Sequence, residues 1–71
     1  MGRKLNLKSL RESRGWTQRD LADKVGVNHS AVAHWELGTK LPSLNHLFRL
    51  ATLFNRTVDE LFVKDEEQAP A

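Results

Sequence analysis

The stretch Thr17-Gln18-Arg19-Asp20-Leu21-Ala22-Asp23-Lys24-Val25-Gly26-Val27-Asn28-His29-Ser30-Ala31-Val32-Ala33-His34-Trp35-Glu36-Leu37-Gly38 reads as two short helices around one glycine turn. Thr17 followed three residues on by Asp20 is a capping-box-like start, and Leu21, Ala22 and Val25 then fall on one helical stripe. Gly26 ends this helix, because glycine most readily takes the left-handed backbone that turns a chain out of a helix, and Val27 can return to the core. In the next helix Val32 and Trp35 point inward with Val27. Asn28, His29, Ser30, Ala33 and His34 are left on the outer side, a set of short donors and acceptors with one methyl group. Such a face suits a helix that enters the major groove of DNA, where side chains near the helix N-terminus read base edges.

The same signals divide the rest of the chain. Asn6, among Leu5, Leu7 and Leu10, is placed to cap a first helix that runs to about Ser13 and is broken by Arg14 and Gly15. Trp16 stands where a hydrophobic staple would pack onto Leu21. Residues 37–42, with Gly38 and Pro42, form a loop, and Ser43 caps a fourth helix. Leu44, Leu47, Phe48, Leu50, Ala51 and Phe54 follow helical spacing along that helix, which ends at Asn55. Thr57 caps a last short helix over residues 58–63, with Asp59 and Glu60 at its positive end. No strand pattern is present, so the expected architecture is all-α, a compact bundle of five short helices over residues 5–63. A basic arm at residues 1–4 precedes it, and a flexible acidic tail at residues 64–71 follows.

Composition narrows the function classes. Seventy-one residues suffice for one small core. Residues 1–64 hold all 11 Lys and Arg but six of the nine acids, a formal balance of +5; Asp65, Glu66 and Glu67 reduce the total to +2. The body of the chain is therefore basic, as suits a polyanionic partner. With no cysteine, no run near the ~20 apolar residues of a membrane span and no signal-type segment, the expected compartment is the cytoplasm. His29 and His34 are five apart, not the three or four that share a helical face, so no metal site is expected. Ser30 beside them has no cleft or oxyanion donors to make it a nucleophile; neither an enzymatic activity nor a cofactor is expected.

Taken in order, Leu10-Arg11, Gly15-Trp16-Thr17-Gln18, Leu21-Ala22, Val25-Gly26-Val27, Val32, Trp35-Glu36, Gly38, Pro42-Ser43, Leu50-Ala51 and Asp59-Glu60-Leu61 resemble the phage-repressor helix-turn-helix family, the Cro and XRE-type regulators with a lambda-repressor-like domain. The resemblance covers residues 5–63 and implies a sequence-specific DNA-binding transcriptional regulator, a repressor or autoregulator. It implies a homodimer on a near-palindromic operator, with the helix at residues 28–36 in the major groove. It assigns Asn28, His29, Ser30, Ala33 and His34 to base reading. Thr17, Gln18, Thr39, Lys40 and Ser43 fall to the phosphate backbone, with Arg14 and Arg19 as further phosphate contacts, and Arg11 and Glu36 to a scaffold ion pair. For Asn28 the N-cap role competes with base reading. No Lys or Arg lies in the reading helix, a departure from many relatives, so DNA shape is expected to contribute to specificity. Leu61, Phe62 and Val63 exceed what so short a helix needs to bury, which makes them the candidate dimer surface. The rival reading is an antitoxin-type module that uses the same fold, with its acidic tail, to hold a protein partner.

Overall fold

The computed structural model describes residues 5–63. The basic arm and the acidic tail lie outside the described residues. Four α-helices follow one another, α1 (Leu7–Ser13), α2 (Gln18–Val25), α3 (His29–Leu37) and α4 (Leu44–Phe54), before a 3₁₀ turn at Asp59–Leu61. Leu7, Leu21, Val25, Val32, Leu50, Phe54 and Leu61 are fully buried, with Ala22 and Trp35 closing the space between them. Burial of these side chains from every element is what holds such short helices, since helices of this length are marginal alone. The most extensive packing is between α2 and α3.

Local chemistry accounts for that pair. The Thr17 hydroxyl accepts from Asp20 N–H at 3.0 Å while the Asp20 carboxylate accepts from Thr17 N–H at 2.9 Å, a complete capping box at the start of α2. At the other end Gly26 adopts φ 87°, and its N–H and that of Val27 both donate to the Ala22 carbonyl, so the helix stops within one residue. Arg49 of α4 donates to the Val25 carbonyl at 3.1 Å, satisfying a further helix-end acceptor.

The 2.9 Å backbone bond, followed by the Thr17 hydroxyl, holds the Asp20 carboxyl below its usual range. A carboxyl whose folded pKa is depressed stabilises the fold above its unfolded value, and that contribution is lost as pH falls through the folded value. Thr17→Ala is therefore expected to cost about 1 kcal/mol, a drop of about 4–8 °C in Tm, while the Thr17 N–H that survives the change keeps the larger bond to the Asp20 carboxylate and with it most of the acid sensitivity. Thermal melts of both proteins at pH 7 check this; an unchanged Tm would contradict the capping-box account.

Three sequence expectations need correction. The last helix contracts from residues 58–63 to the 3₁₀ turn, because Phe62 goes extended (φ −98°, ψ 149°) and forms an isolated antiparallel bridge with Leu5, the one β contact among the described residues. Thr57 and Glu60 still bond reciprocally at the start of this turn. Asn6 makes no side-chain cap; its backbone N–H instead donates to the Leu61 carbonyl at 2.6 Å, which joins the two ends of the domain. Asn28 has the extended backbone of an N-cap but likewise makes no side-chain cap bond. The fourth helix forms as expected up to Asn55, and its six apolar positions span a wider arc than one core can cover. Leu50, Ala51 and Phe54 are buried and Leu47 is partly so, whereas Leu44 and Phe48 are 63% and 53% exposed.

Candidate nucleic-acid interface

Because Val32 and Trp35 are drawn into the core, the opposite side of α3 is turned outward. Asn28, His29, Ser30 and His34 are exposed there and Ala33 is half-buried. The loop after α3 folds back beside this face. Gly38 takes φ 84° and donates to the His34 and Trp35 carbonyls, which directs residues 39–41 alongside the helix. A shallow depression results, lined by Asn28, Ser30 and His34 from the helix and by Lys40 and Leu41 from the loop. His29 and Ala33 lie outside it, on the same helix.

The polar groups in and around the depression differ in freedom. Asn28, with no cap bond, has its whole carboxamide available. His34 Nδ1 lies 2.8 Å from the Thr39 hydroxyl, which also donates to the His34 carbonyl at 3.3 Å, so Thr39 orients the ring and leaves Nε2 for a ligand. The Ser43 hydroxyl accepts from His46 N–H at 3.3 Å as the cap of α4 and sits 3.0 Å from His46 Nδ1. Lys40 and Arg19 are exposed. Leu41 carries no sequence signal beyond its place in the loop at residues 37–42. It is 66% exposed on the wall of the depression.

A second cluster fixes α2 against α3. Arg11 Nε donates to Glu36 Oε2 at 2.7 Å and Arg11 Nη2 to Oε1 at 3.1 Å, while a third nitrogen, Nη1, donates to the Trp16 carbonyl at 2.9 Å. Gln18 Nε2 donates to the same Glu36 Oε1 at 3.0 Å. One carboxylate thus joins the start of α2 to α1 and to the end of α3. Burial pushes the Glu36 carboxyl up, but the bonds from Arg11 and Gln18 and the Arg11 charge outweigh it, so the net displacement is downward. The Arg11 guanidinium is correspondingly raised, chiefly by its bond to Glu36. The pairing of Gln18 with Glu36 across 18 positions had no local signal.

Arg14 is engaged with Trp16 and the end of α4. It donates to the Phe54 carbonyl at 3.2 Å, and its guanidinium lies 5.6 Å from the Trp16 ring centroid and 5.5 Å from that of Phe54. The two rings are themselves 5.6 Å apart, with Lys24 Nζ 4.7 Å from the Trp16 centroid. Among the described residues, no three His, Asp or Glu side chains are grouped so as to hold a metal ion.

A polar outer face on the second of two glycine-linked helices, with a basic loop beside it, is the arrangement of a DNA reader. The helix-turn-helix family pattern matches residues 7–61 of the chain. The chain belongs to the helix-turn-helix family of XRE type. It is 36% identical over 62 residues to an uncharacterised helix-turn-helix transcriptional regulator of Archaeoglobus fulgidus, covering 87% of this chain and 89% of that protein. It is 37% identical over 65 residues to the regulator AnsR of Bacillus subtilis, and there it spans 92% of its own length but 56% of AnsR. A transcriptional regulator from Listeria innocua superposes with a TM-score of 0.80 at 29% identity, over 92% of this chain and 64% of that one. The LexA repressor of Eubacterium rectale, at 24% identity and a TM-score of 0.78, shares the fold. This helix-turn-helix protein is thus a DNA-binding transcriptional regulator. No helix among its described residues is long and apolar enough to cross a membrane.

Proposed function

We propose that this helix-turn-helix protein binds a near-palindromic operator as a homodimer in the cytoplasm, acting as a repressor or autoregulator, with α3 in the major groove and α2 across the backbone. The observation that carries this reading is the depression that brings Asn28, Ser30 and His34 beside Lys40. The first three are short side chains that can bond base edges, and the fourth is a cation within reach of the adjoining phosphates. His29 and Ala33 extend the reading surface along the helix, Ala33 by methyl contact with thymine. Gln18, Thr17 and Ser43 fit phosphate contacts close to helix starts, where backbone N–H groups favour anions, Thr39 fits one from the loop after α3, and Arg19 adds exposed positive charge. Arg14 is the weakest member of the set, since its guanidinium is held between Trp16, Phe54 and a carbonyl. With no Lys or Arg in α3, sequence-dependent DNA shape between half-sites supplies part of the discrimination.

Selection of bound duplexes from a random pool at about 0.15 M salt tests the reading. The expected product is a two-fold motif with half-sites about 34 Å apart. Repeating the selection with His34→Ala should relax one base pair in each half-site, a loss of about 1–3 kcal/mol in discrimination, while the rest of the motif persists. Absence of any enriched motif would overturn the operator reading and favour a protein-holding module.

A further inference from the structure

The outer face of α4 is apolar and unused by the core. Leu44 and Phe48 lie one turn apart on it, and Thr52 and Asn55 continue the same exposed stripe. Phe48 forms a ridge with a groove on each side. One groove runs towards α2, between Lys24, Arg49 and Leu53. The other runs to the 3₁₀ turn, over Ala51 and between Asn55, Arg56, Val58 and Glu60. A ridge with a hollow beside it on one surface is the shape that a two-fold contact requires, because each copy supplies the ridge and receives its partner's.

We infer that two copies of the chain pair through this face, each Phe48 seating in the groove between α4 and the 3₁₀ turn of the other. Charge fits that occupant. The groove that receives Phe48 carries one basic and one acidic side chain, Arg56 and Glu60, the stripe of Leu44, Phe48, Thr52 and Asn55 holds no charge, and the two cations on the far flank are turned elsewhere, Arg49 to the Val25 carbonyl and Lys24 to the Trp16 ring. The chain's own residues 64–71 contain no aromatic, Leu, Ile, Val or Met side chain to fill it. None of Leu44, Phe48, Thr52 or Asn55 is among the residues proposed to touch DNA, so pairing and operator binding use separate surfaces. This moves the contact away from residues 61–63: Leu61 is fully buried, Phe62 is half-buried and bridged to Leu5, and Val63 alone remains exposed, at 44%.

The inference rests on the dimeric operator reading, and one pair of measurements separates the two. Sedimentation equilibrium of Phe48→Glu is expected to show a dimer dissociation constant raised at least about thirtyfold, the effect of removing a hot-spot side chain, while Val63→Glu stays at the wild-type value. Circular dichroism should be unchanged, since Phe48 is more than half exposed. If Phe48→Glu loses its fold, Thr52→Glu on the same stripe is expected to give the same rise. On DNA, Phe48→Glu should bind an isolated half-site as the wild type does and lose the advantage of the full site. A wild-type dissociation constant for folded Phe48→Glu, or a wild-type protein that stays monomeric, overturns the inferred surface. Failure of the wild type to prefer any DNA sequence instead overturns the operator reading, and the sedimentation result then decides the surface alone.

Discussion

Replacing Glu36 by Ala is expected to destabilise the protein by about 3–5 kcal/mol, enough to leave a large fraction of the chain unfolded near body temperature. The Arg11 side chain is 10% exposed and that of Glu36 6%, so each charge has given up most of its water. Removing Glu36 leaves the Arg11 guanidinium in that dry site with the Trp16 carbonyl as its remaining hydrogen-bond partner and only the Glu12 charge nearby, and a buried charge that has lost its paired partner costs about this much. A chain of 71 residues has about 4–10 kcal/mol of total stability to lose. The double change Arg11→Met with Glu36→Leu should recover most of the deficit, since it removes both the attraction and the two desolvation costs. Urea midpoints of the three variants measure this. A loss below about 1 kcal/mol in Glu36→Ala would mean that the pair behaves as an exposed surface bridge.

The same network adds an acid sensitivity of definite sign. The Glu36 carboxyl sits below its usual range, so its contribution is complete above that range and falls away as pH drops through the folded value. Gln18 belongs to the same network: its amide donates to Glu36 Oε1 and ties the start of α2 to the end of α3.

Operator affinity is expected to fall about a thousandfold between 50 mM and 200 mM salt. If each subunit of the proposed dimer neutralises about three phosphates, log affinity declines against log salt with a slope near −5. Lys40 stands beside the depression on α3 and is the cation best placed for one of these contacts. Lys40→Ala should therefore make the slope shallower by about 2, one ion per subunit, and weaken binding to all sequences alike, in contrast to the base-specific loss from His34→Ala. Filter binding or fluorescence anisotropy across the salt series measures both. A wild-type slope shallower than about −2 would contradict the phosphate assignment.

What the sequence determined by itself was whatever adjacent residues settle among themselves. The Thr17–Asp20 capping box, the left-handed Gly26 and Gly38 and the Ser43 cap involve partners within five positions, so the start of α2, both its neighbours' turns and the outward polar face of α3 could be read directly. The family and its DNA-binding function were legible from motif positions kept in order along the chain, from Leu10-Arg11 to Asp59-Glu60-Leu61, which need no knowledge of how the helices pack. Tertiary structure alone decided the rest. Gln18 meets Glu36 across 18 positions, Arg14 meets Phe54 across 40, and Phe62 leaves its expected helix to bridge Leu5. Phe48 faces outward only because Leu47, Leu50, Ala51 and Phe54 already fill the arc that α4 can bury. Helical periodicity marks which residues share a stripe, but which part of an over-wide stripe is covered depends on elements that arrive from elsewhere in the chain.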